Sequence, residues 1–290
     1  MDPALIAFGL GVGLLVGATG VGGGSIMTPL LILSFGVSPT VAVGTDIAYG
    51  ALTKTVGGWR HLRMGTVDLR LCAWLAAGSV PGALLGVWIL ESLGDEEQLT
   101  ALLVPIAVAV LLTGAISLVR AMAPIAPRAR QSMRELPRTK AAAVVLGLVA
   151  GVVIGMTSVG SGAVIAILLV LVFGLAPRRV VGTDIAHAAV LLWAAAIVHL
   201  AVGNVDLELA GTILLGSIPG VWVGSRLGLK LPERGLQVAL GSVLLGAGLA
   251  LLSEGGVELP GAIILGVPAL CAAALGLYLT RRARPASKVS

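Results

Sequence analysis

Two glycine-rich stretches carry the residues whose types and spacing best suit binding chemistry. They run from Gly17 to Ser25 and from Gly155 to Ala163. Glycine costs about 1 kcal/mol relative to alanine inside a helix, and a helix that begins after such a break presents free N–H groups and a positive dipole end, which suit an anion. The predicted anion-binding residues are Thr19, Gly20, Gly22, Gly23, Gly24, Ser25, Thr157, Ser158, Gly160, Ser161 and Gly162. The alternative is that the glycines only allow a sharp turn and close packing.

Three charged side chains lie well inside apolar segments: Asp46, Lys54 and Asp184. A charge within a membrane costs at least about 2.5 kcal/mol, so each is a functional candidate. Each aspartate follows Gly-Thr near the start of its helix, which supports equally a structural role capping N–H groups and a coupling role in which the carboxylate takes up a proton. Lys54 either attracts anions or extends to the cytoplasmic surface, and the second is favoured because Arg60 is under two turns away.

Helical periodicity places a polar face on the segment that carries Asp46. This face consists of Asp46, Tyr49, Gly50, Thr53 and Gly57, and the matching face of the second half consists of Asp184, His187, Ala188, Leu191 and Ala195. The exchange of Tyr49 for His187 predicts two chemically unequal sides. A histidine titrates near neutral pH, although a lone histidine in a membrane segment is more often a packing residue. His61 and His199, at helix ends, are expected at the membrane interface.

The composition indicates a membrane protein. Hydrophobic residues make up 57% of the chain, charged residues 11%, and the mean hydropathy is +1.05. Apolar runs that reach or approach the roughly 20 residues of a membrane span occur at 69–90, 99–119, 141–173, 180–201, 207–229, 236–252 and 259–280. The start of the chain lacks the basic residues of a cleaved signal peptide, so the first apolar segment is expected to be retained.

The positions of the charges indicate membrane topology. The net charge is +5, and basic and acidic residues cluster in alternating loops, as the positive-inside rule describes. The excess of basic residues is therefore attributed to topology, and no nucleic-acid partner is expected. Cys72 and Cys271 both lie in apolar segments far apart in sequence, which predicts two free thiols and neither a disulfide nor a metal site.

An internal repeat divides the chain. Shifting the sequence by 138 residues aligns at least residues 17–86 without a gap, with Gly44-Thr45-Asp46 on Gly182-Thr183-Asp184. The predicted organisation is a first transmembrane repeat at 1–120, a basic cytoplasmic linker at 121–140, a second repeat at 141–256, and an extra C-terminal helix with a basic tail at 257–290.

The charge pattern decides between parallel and inverted repeats. If 141–173 crossed the membrane once, the acidic loop at 206–208 would be cytoplasmic and the basic loop at 226–234 external, against the rule. If each glycine-broken segment returns to the side it entered, 18 of the 19 Lys and Arg lie on the cytoplasmic side. Hairpin arms of about 11 to 14 residues would bring each tip near the middle of the bilayer.

The predicted fold is therefore an all-α polytopic membrane protein with two inverted-topology repeats. Each repeat is a re-entrant glycine-broken hairpin plus three transmembrane helices, and one extra transmembrane helix follows. The N-terminus is expected outside and the C-terminus in the cytoplasm. Glycines at every fourth position in 69–90 and 207–229 favour close helix packing, and Pro81 and Pro219 are expected to kink these helices.

The same residues resemble a known family. The stretch from Gly17 to Ser25, followed by Thr28-Pro29-Leu30-Leu31, Pro39 and Gly44-Thr45-Asp46, is similar to the sulfite exporter TauE/SafE family of membrane permeases. The similarity covers nearly the whole chain, including the duplicated half. It implies a multi-pass protein of the bacterial inner membrane that transports, usually exports, small sulfur-containing anions such as sulfite or organosulfonates. Ser158 for Gly20 and Ser161 for Gly23 predict an asymmetric site.

The leading hypothesis is a secondary transporter that works by alternating access, with both hairpin tips cradling the anion at the midplane. The expected partners are the anion, membrane lipid and, as a coupling ion, the proton; the oligomeric state is left open. No enzyme motif occurs, and no cofactor or metal is predicted. The alternatives are a passive anion channel and a non-transporting membrane partner subunit.

Overall fold

The structure is a computed structural model. It describes residues 3–19, 23–92, 100, 102–122, 137–159, 163–175, 177–228 and 233–283. Within these residues the regular structure is entirely helical, without a strand. The helices are α1 (Pro3–Thr19), α2 (Gly24–Phe35), α3 (Pro39–Arg63), α4 (Leu69–Ser92), α5 (Leu103–Met122), α6 (Pro137–Thr157), α7 (Ala163–Leu171), α8 (Pro177–Ala201), α9 (Leu207–Gly228), α10 (Glu233–Glu254) and α11 (Gly261–Ala283).

Six helices of the described part are long and apolar enough to cross a membrane. They are α4, α5, α6, α8, α9 and α10, and each contains an 18-residue window with at most two charged residues. Apolar stretches of 10 to 17 residues occur in α1, α2 and α11. The prediction of an all-α polytopic membrane protein is confirmed.

Both glycine-rich stretches interrupt a helix, as the sequence predicts. The first break falls between Thr19 and Gly24 and the second between Thr157 and Ala163; residues 20–22 and 160–162 lie outside the described part. The arms are less equal than expected, because α1 and α6 have 17 and 21 residues whereas α2 and α7 have 12 and 9.

The two sequence halves interlock. Helix α1 of the first half packs along α9 of the second, and α6 packs along α4. A Cβ atom on Gly78 would lie 1.9 Å from the backbone oxygen of Val144, and one on Gly86 would lie 2.4 Å from that of Val152. Paired residue numbers increase together, so α4 and α6 run parallel. Their backbones touch at the glycines, which confirms the predicted close packing.

The helices related by the repeat run antiparallel where they touch. Gly50 on α3 faces Leu192 on α8, whereas Gly57, two turns later, faces Ile185. Helices α5 and α10 are also antiparallel, since Gly241 near the start of α10 contacts Leu118 near the end of α5. Each helix of these pairs therefore begins beside the end of its counterpart.

The Gly-Thr-Asp motif joins the halves at two equivalent places. The hydroxyl of Thr45 accepts a hydrogen bond from the backbone N–H of Asp206 at 3.0 Å, and that of Thr183 accepts one from Asp68 at 2.9 Å. The carboxylates of Asp68 and Asp206 each accept a hydrogen bond from the N–H three residues later, which caps α4 and α9. The threonines of the motif are therefore structural.

The extra helix α11 packs mainly on α10. Much of its surface is exposed, and Leu265 and Leu270 are 76% and 70% exposed. Both cysteines are free thiols; Cys72 is buried and Cys271 is partly exposed.

Candidate functional site

A cavity of about 460 Å³ lies between the two glycine-rich breaks, α3, α8 and α9. Its lining includes the whole predicted face of α3, which consists of Asp46, Tyr49, Gly50, Thr53 and Gly57. Of the matching face on α8, the cavity is lined only by Asp184. The first predicted face thus lines this cavity over its whole length, whereas the second contributes one residue.

The two glycine-rich breaks meet at the cavity wall. A Cβ atom on Gly24 would lie 2.3 Å from the backbone oxygen of Ser158, and Gly23, Gly24 and Ser158 all line the cavity. Ser158 has φ 58°, in the left-handed region that favours glycine, and the position one repeat earlier is Gly20. The backbone strain at Ser158 therefore lies at the contact between the tips.

The other predicted tip residues lie elsewhere. Ser25 and Thr157 are buried at 4% and 2% exposure and are absent from the cavity lining. The hydroxyl of Thr157 donates to the backbone oxygen of Val153 at 2.7 Å and accepts from the N–H of Val159 at 3.2 Å, so it holds its own turn. The side chain of Thr19, and Gly20, Gly22, Gly160, Ser161 and Gly162, lie outside the described residues.

The two aspartates occupy equivalent positions with different partners. Oδ2 of Asp46 accepts a hydrogen bond from the hydroxyl of Thr28 on α2 at 2.5 Å. The position equivalent to Thr28 in the second half is Ala166, which has no hydroxyl. Both carboxylates are buried, and Oδ1 of each has no hydrogen-bond partner among the described residues. A charge-assisted bond thus holds Asp46 but has no counterpart at Asp184.

Two hydroxyls that line the cavity make no hydrogen bond among the described residues. Tyr49 on α3 and Ser217 on α9 both line it, and neither hydroxyl oxygen has a hydrogen-bond partner within the described residues. A buried hydroxyl without a partner is costly unless a water or ligand occupies the adjacent space. The pair is therefore suited to donate hydrogen bonds to a polar ligand.

The pair of residues at the equivalent positions in the other half forms a hydrogen bond and, in the part of the chain that the structure describes, lines no comparable cavity. One repeat away, Tyr49 corresponds to His187 and Ser217 to Ser79. The hydroxyl of Ser79 and Nε2 of His187 are 2.8 Å apart, and both side chains are fully buried. The void beside His187 measures about 10 Å³. His187 thus lies outside the cavity, and the predicted chemical inequality of Tyr49 and His187 is accompanied by a difference in packing.

The other members of the second face are also buried. Ala188, Leu191 and Ala195 are each 0% exposed, and Leu191 stands where the first half has Thr53. The face fills with apolar side chains because α4 packs against α8. Periodicity alone did not reveal this covering helix.

Lys54 lines the cavity together with both aspartates. It lies eight residues after Asp46 on α3, or about 12 Å along the helix. Since α8 runs antiparallel, Asp184 is level with the following turn of α3. The cavity thus contains one ammonium group and two carboxylates.

His199 lies in the last turn of α8 and is buried within the protein, at 0% exposure. Its Nε2 is 3.1 Å from the backbone oxygen of Gly155, near the end of α6, so it packs against the base of the second tip. The last turn of α8 is covered by α6, which a position near a helix end did not predict.

Sequence reasoning did not assign Ser217, Ile218 and Val221 to the cavity, although they line it. They form one face of α9 beside Pro219. The repeat offered a signal, because Gly216-Ser217 aligns with Gly78-Ser79. What it did not provide was the packing of α9 against α1 and α3.

Apolar helices long enough to span a bilayer surround a cavity lined by a lysine and two aspartates, as expected of a polytopic membrane protein with an internal binding site. The chain belongs to the sulfite exporter TauE/SafE family, whose model matches residues 5–251. This confirms the resemblance inferred from the glycine stretch and the Gly-Thr-Asp motif.

Relatives of known name extend over most of the chain. It is 40% identical to "Probable membrane transporter protein YjnA" of Bacillus subtilis (strain 168) over 256 residues, covering 87% of this chain and all of the relative. It is 30% identical to "Probable membrane transporter protein YdhB" of the same organism, covering 83% and 96%. No solved structure gives a significant match. The family and these names indicate a membrane transporter.

Proposed function

We propose that the protein is a secondary transporter that exports small sulfur-containing anions, such as sulfite or organosulfonates, by alternating access. The observation that carries the proposal is the meeting of Gly24 and Ser158 at the wall of the cavity. Two breaks from different halves of the chain thereby border one cavity, whose mostly apolar lining carries a few polar side chains. The sulfur-containing anion is taken from the family description, "Sulfite exporter TauE/SafE".

The proposal includes two inverted repeats with re-entrant hairpins. Phe8 in α1 and Phe35 at the end of α2 have ring centroids 5.1 Å apart, as expected if this hairpin returns to the side where it began. The antiparallel contact of α3 with α8 supports inversion, because a two-fold axis in the membrane plane reverses the direction of a spanning helix. The arrangement brings the tips together from opposite faces.

The orientation is supported by three contacts between a tryptophan and a cation. The Arg63 guanidinium lies 3.8 Å from the Trp59 ring centroid, and Arg226 lies 3.7 Å from Trp222. The third pair is Lys140 with Trp74, at 5.4 Å. In the proposed topology all three lie on the side of the basic linker. Basic residues favour the cytoplasmic side and tryptophans the interface, so we assign this side to the cytoplasm.

The cavity has groups suited to a small oxyanion. Its volume is within the range of about 300–1,000 Å³ typical of ligand pockets. Lys54 offers a positive charge, and the hydroxyls of Tyr49 and Ser217, which lie near each other, offer donors. Asp46 and Asp184 repel an anion when ionised, so the charge of the cavity controls binding.

Alternating access is supported by the different packing of the two halves. The pair Tyr49 and Ser217 lines an open cavity, whereas the equivalent pair His187 and Ser79 is closed by a hydrogen bond. In transporters with inverted repeats, the second state forms when repeats exchange such arrangements. We therefore assign the closed contact between α4 and α8 as the seam that opens in the other state.

Proteoliposomes test this function directly. The purified protein is reconstituted, and the flux of radiolabelled sulfite, sulfoacetate and isethionate is measured against concentration. Saturable flux of at least one sulfur anion, with exchange accelerated by the same anion on the far side, is expected. Linear flux without exchange acceleration would identify a channel, and no flux of any of the three would refute the proposal.

A variant at the tip contact links the flux to the cavity. Gly24→Leu places its side chain against Ser158 and is expected to abolish flux while the protein still inserts and purifies as a folded species. Gly266→Leu, in α11, is the matched control, since nothing lies within 4 Å of the added Cβ atom. Wild-type flux from Gly24→Leu would contradict the role of the tips.

A further inference from the structure

The two aspartates of the cavity are equivalent in sequence but not in their hydrogen bonds. Asp46 receives the Thr28 hydroxyl at 2.5 Å, and the corresponding position in α7 is Ala166, which is 9% exposed. Each carboxylate has a buried Oδ1 without a partner among the described residues. The Thr28 hydroxyl is therefore a hydrogen-bond donor that Asp46 has and Asp184 lacks.

This difference leaves only Asp46 with a direct donor to its ionised form among the described residues. A hydrogen bond donated to a carboxylate favours its ionised form, and burial without such a bond favours its protonated form. Asp46 has this stabilisation from α2, which packs against α3. The ionised form of Asp184 is stabilised instead by more distant charges. A charge on the other side of a cavity stabilises a carboxylate less than a directly bonded donor does.

The charged groups around Asp184 lie on three elements. Lys54 and Asp46 line the same cavity from α3, and Arg120 lies in the last turn of α5. Asp68, before α4, directs its carboxylate to the N–H of Leu71. Protonation of Asp184 changes the formal charge of the cavity from −1 to zero when Asp46 and Lys54 are both ionised.

We infer that Asp184 is the proton-carrying group of the transporter, that Asp46 is a fixed structural charge, and that one proton crosses the membrane with each anion. This inference rests on the proposed function. The anion enters when Asp184 is neutral, because the ionised cavity repels it. The proton resides on a carboxylate oxygen of Asp184 during the crossing and leaves on the far side after the anion. For a monovalent anion the cycle moves no net charge.

The experiment uses isethionate, whose sulfonate remains a monoanion over the whole pH range of the assay. Radiolabelled isethionate is exchanged across proteoliposomes, and a trapped pH dye reports protons that move with net flux. For the wild type we expect proton movement with isethionate and flux that is insensitive to an imposed membrane potential. Asp184→Asn mimics the neutral side chain, so exchange should continue, lose its pH dependence and carry no protons. The matched variant Asp46→Asn removes the same charge but keeps the Asp184 carboxylate, so its exchange should still depend on pH.

A second variant leaves Asp184 in place. Ala166→Thr supplies the hydroxyl that Thr28 supplies to Asp46, and it should shift the pH profile of exchange towards lower pH by about tenfold in proton concentration. If Asp184→Asn fails to fold, Ala166→Thr still tests the inference. An unchanged pH profile of exchange in Ala166→Thr would overturn it. Thr28→Ser, which keeps a hydroxyl at Asp46, is its control and should leave the profile unchanged.

The outcomes separate the two proposals. An absence of isethionate, sulfite and sulfoacetate flux in the wild type refutes the proposed function. Isethionate flux without proton movement refutes the proton-carrying role alone. Proton movement that persists in Asp184→Asn, or a pH dependence of exchange that is lost in Asp46→Asn and kept in Asp184→Asn, also overturns the assignment.

Discussion

The hydroxyl of Ser79 lies 2.8 Å from Nε2 of His187 in the buried contact between α4 and α8. Their counterparts one repeat away, Ser217 and Tyr49, line the cavity without a hydrogen-bond partner among the described residues. The same pair of positions thus closes a seam in one half of the protein and lines a candidate binding site in the other.

This relationship predicts different effects when serine is replaced by alanine at the two equivalent positions. Ser217→Ala should raise the KM for the transported anion about tenfold, since one hydrogen bond to a charged ligand is worth roughly 1.5–3 kcal/mol, and should leave thermal stability unchanged. Ser79→Ala should instead destabilise the protein by about 1–3 kcal/mol, because a nitrogen of the buried His187 loses its partner. Flux kinetics and thermal unfolding in detergent measure the two effects; equal KM values for both variants would contradict the assignment.

The cavity wall on α3 was predictable from the sequence because it depends on one helix. Asp46, Tyr49 and Thr53 share a face at the helical period, and no other element is needed to place them together. The wall on α9 was not predictable in this way. Ser217 reaches the cavity because α9 packs along α1 of the other half, and such pairing of distant helices is not encoded in local periodicity.

The roles in the Gly-Thr-Asp motif were also only partly predictable from the sequence, because they depend on contacts with distant residues. Its aspartates were recognised because a charge is unusual in an apolar segment, but Thr45 was not, since its partner Asp206 is 161 residues away. The unequal surroundings of Asp46 and Asp184 required both the repeat alignment and the contact with Thr28. The sequence alone left their roles equivalent.

The close contact of α1 with α9 predicts a sharp difference between neighbouring glycines. A Cβ atom on Gly13 would lie 2.4 Å from the backbone oxygen of Ser217, whereas one on Gly11 would have nothing within 4 Å. Gly13→Ala should therefore lower stability by about 1–3 kcal/mol through overpacking. Gly11→Ala, two residues away in the same helix, should cause no loss, because alanine is the better helix former. Thermal unfolding in detergent distinguishes them, and equal melting temperatures would mean that α1 and α9 are not in contact at this point.

The position of Lys54 predicts a charge-dependent affinity. Its ammonium lines the cavity, so Lys54→Gln should raise the KM for the anion at least tenfold, and Lys54→Arg should retain most of the wild-type affinity because it keeps the charge. Arg60→Gln, on an exposed turn of the same helix, is the control for a general loss of positive charge. If Lys54→Gln and Arg60→Gln have the same small effect, the alternative in which Lys54 extends to the cytoplasmic surface is supported.

The inverted arrangement predicts which positions react with a membrane-impermeant thiol reagent. In a background with Cys72 and Cys271 replaced by serine, Ser38→Cys should be labelled in intact cells, since it lies in the exposed turn after α2, on the predicted outer side. Arg179→Cys, one repeat plus three residues later at the exposed start of α8, should be labelled only in inside-out vesicles. Both labelling results are expected because the two hairpins enter the membrane from opposite faces. Parallel repeats would place equivalent turns on one side, so labelling of both cysteines in intact cells would contradict the inverted topology.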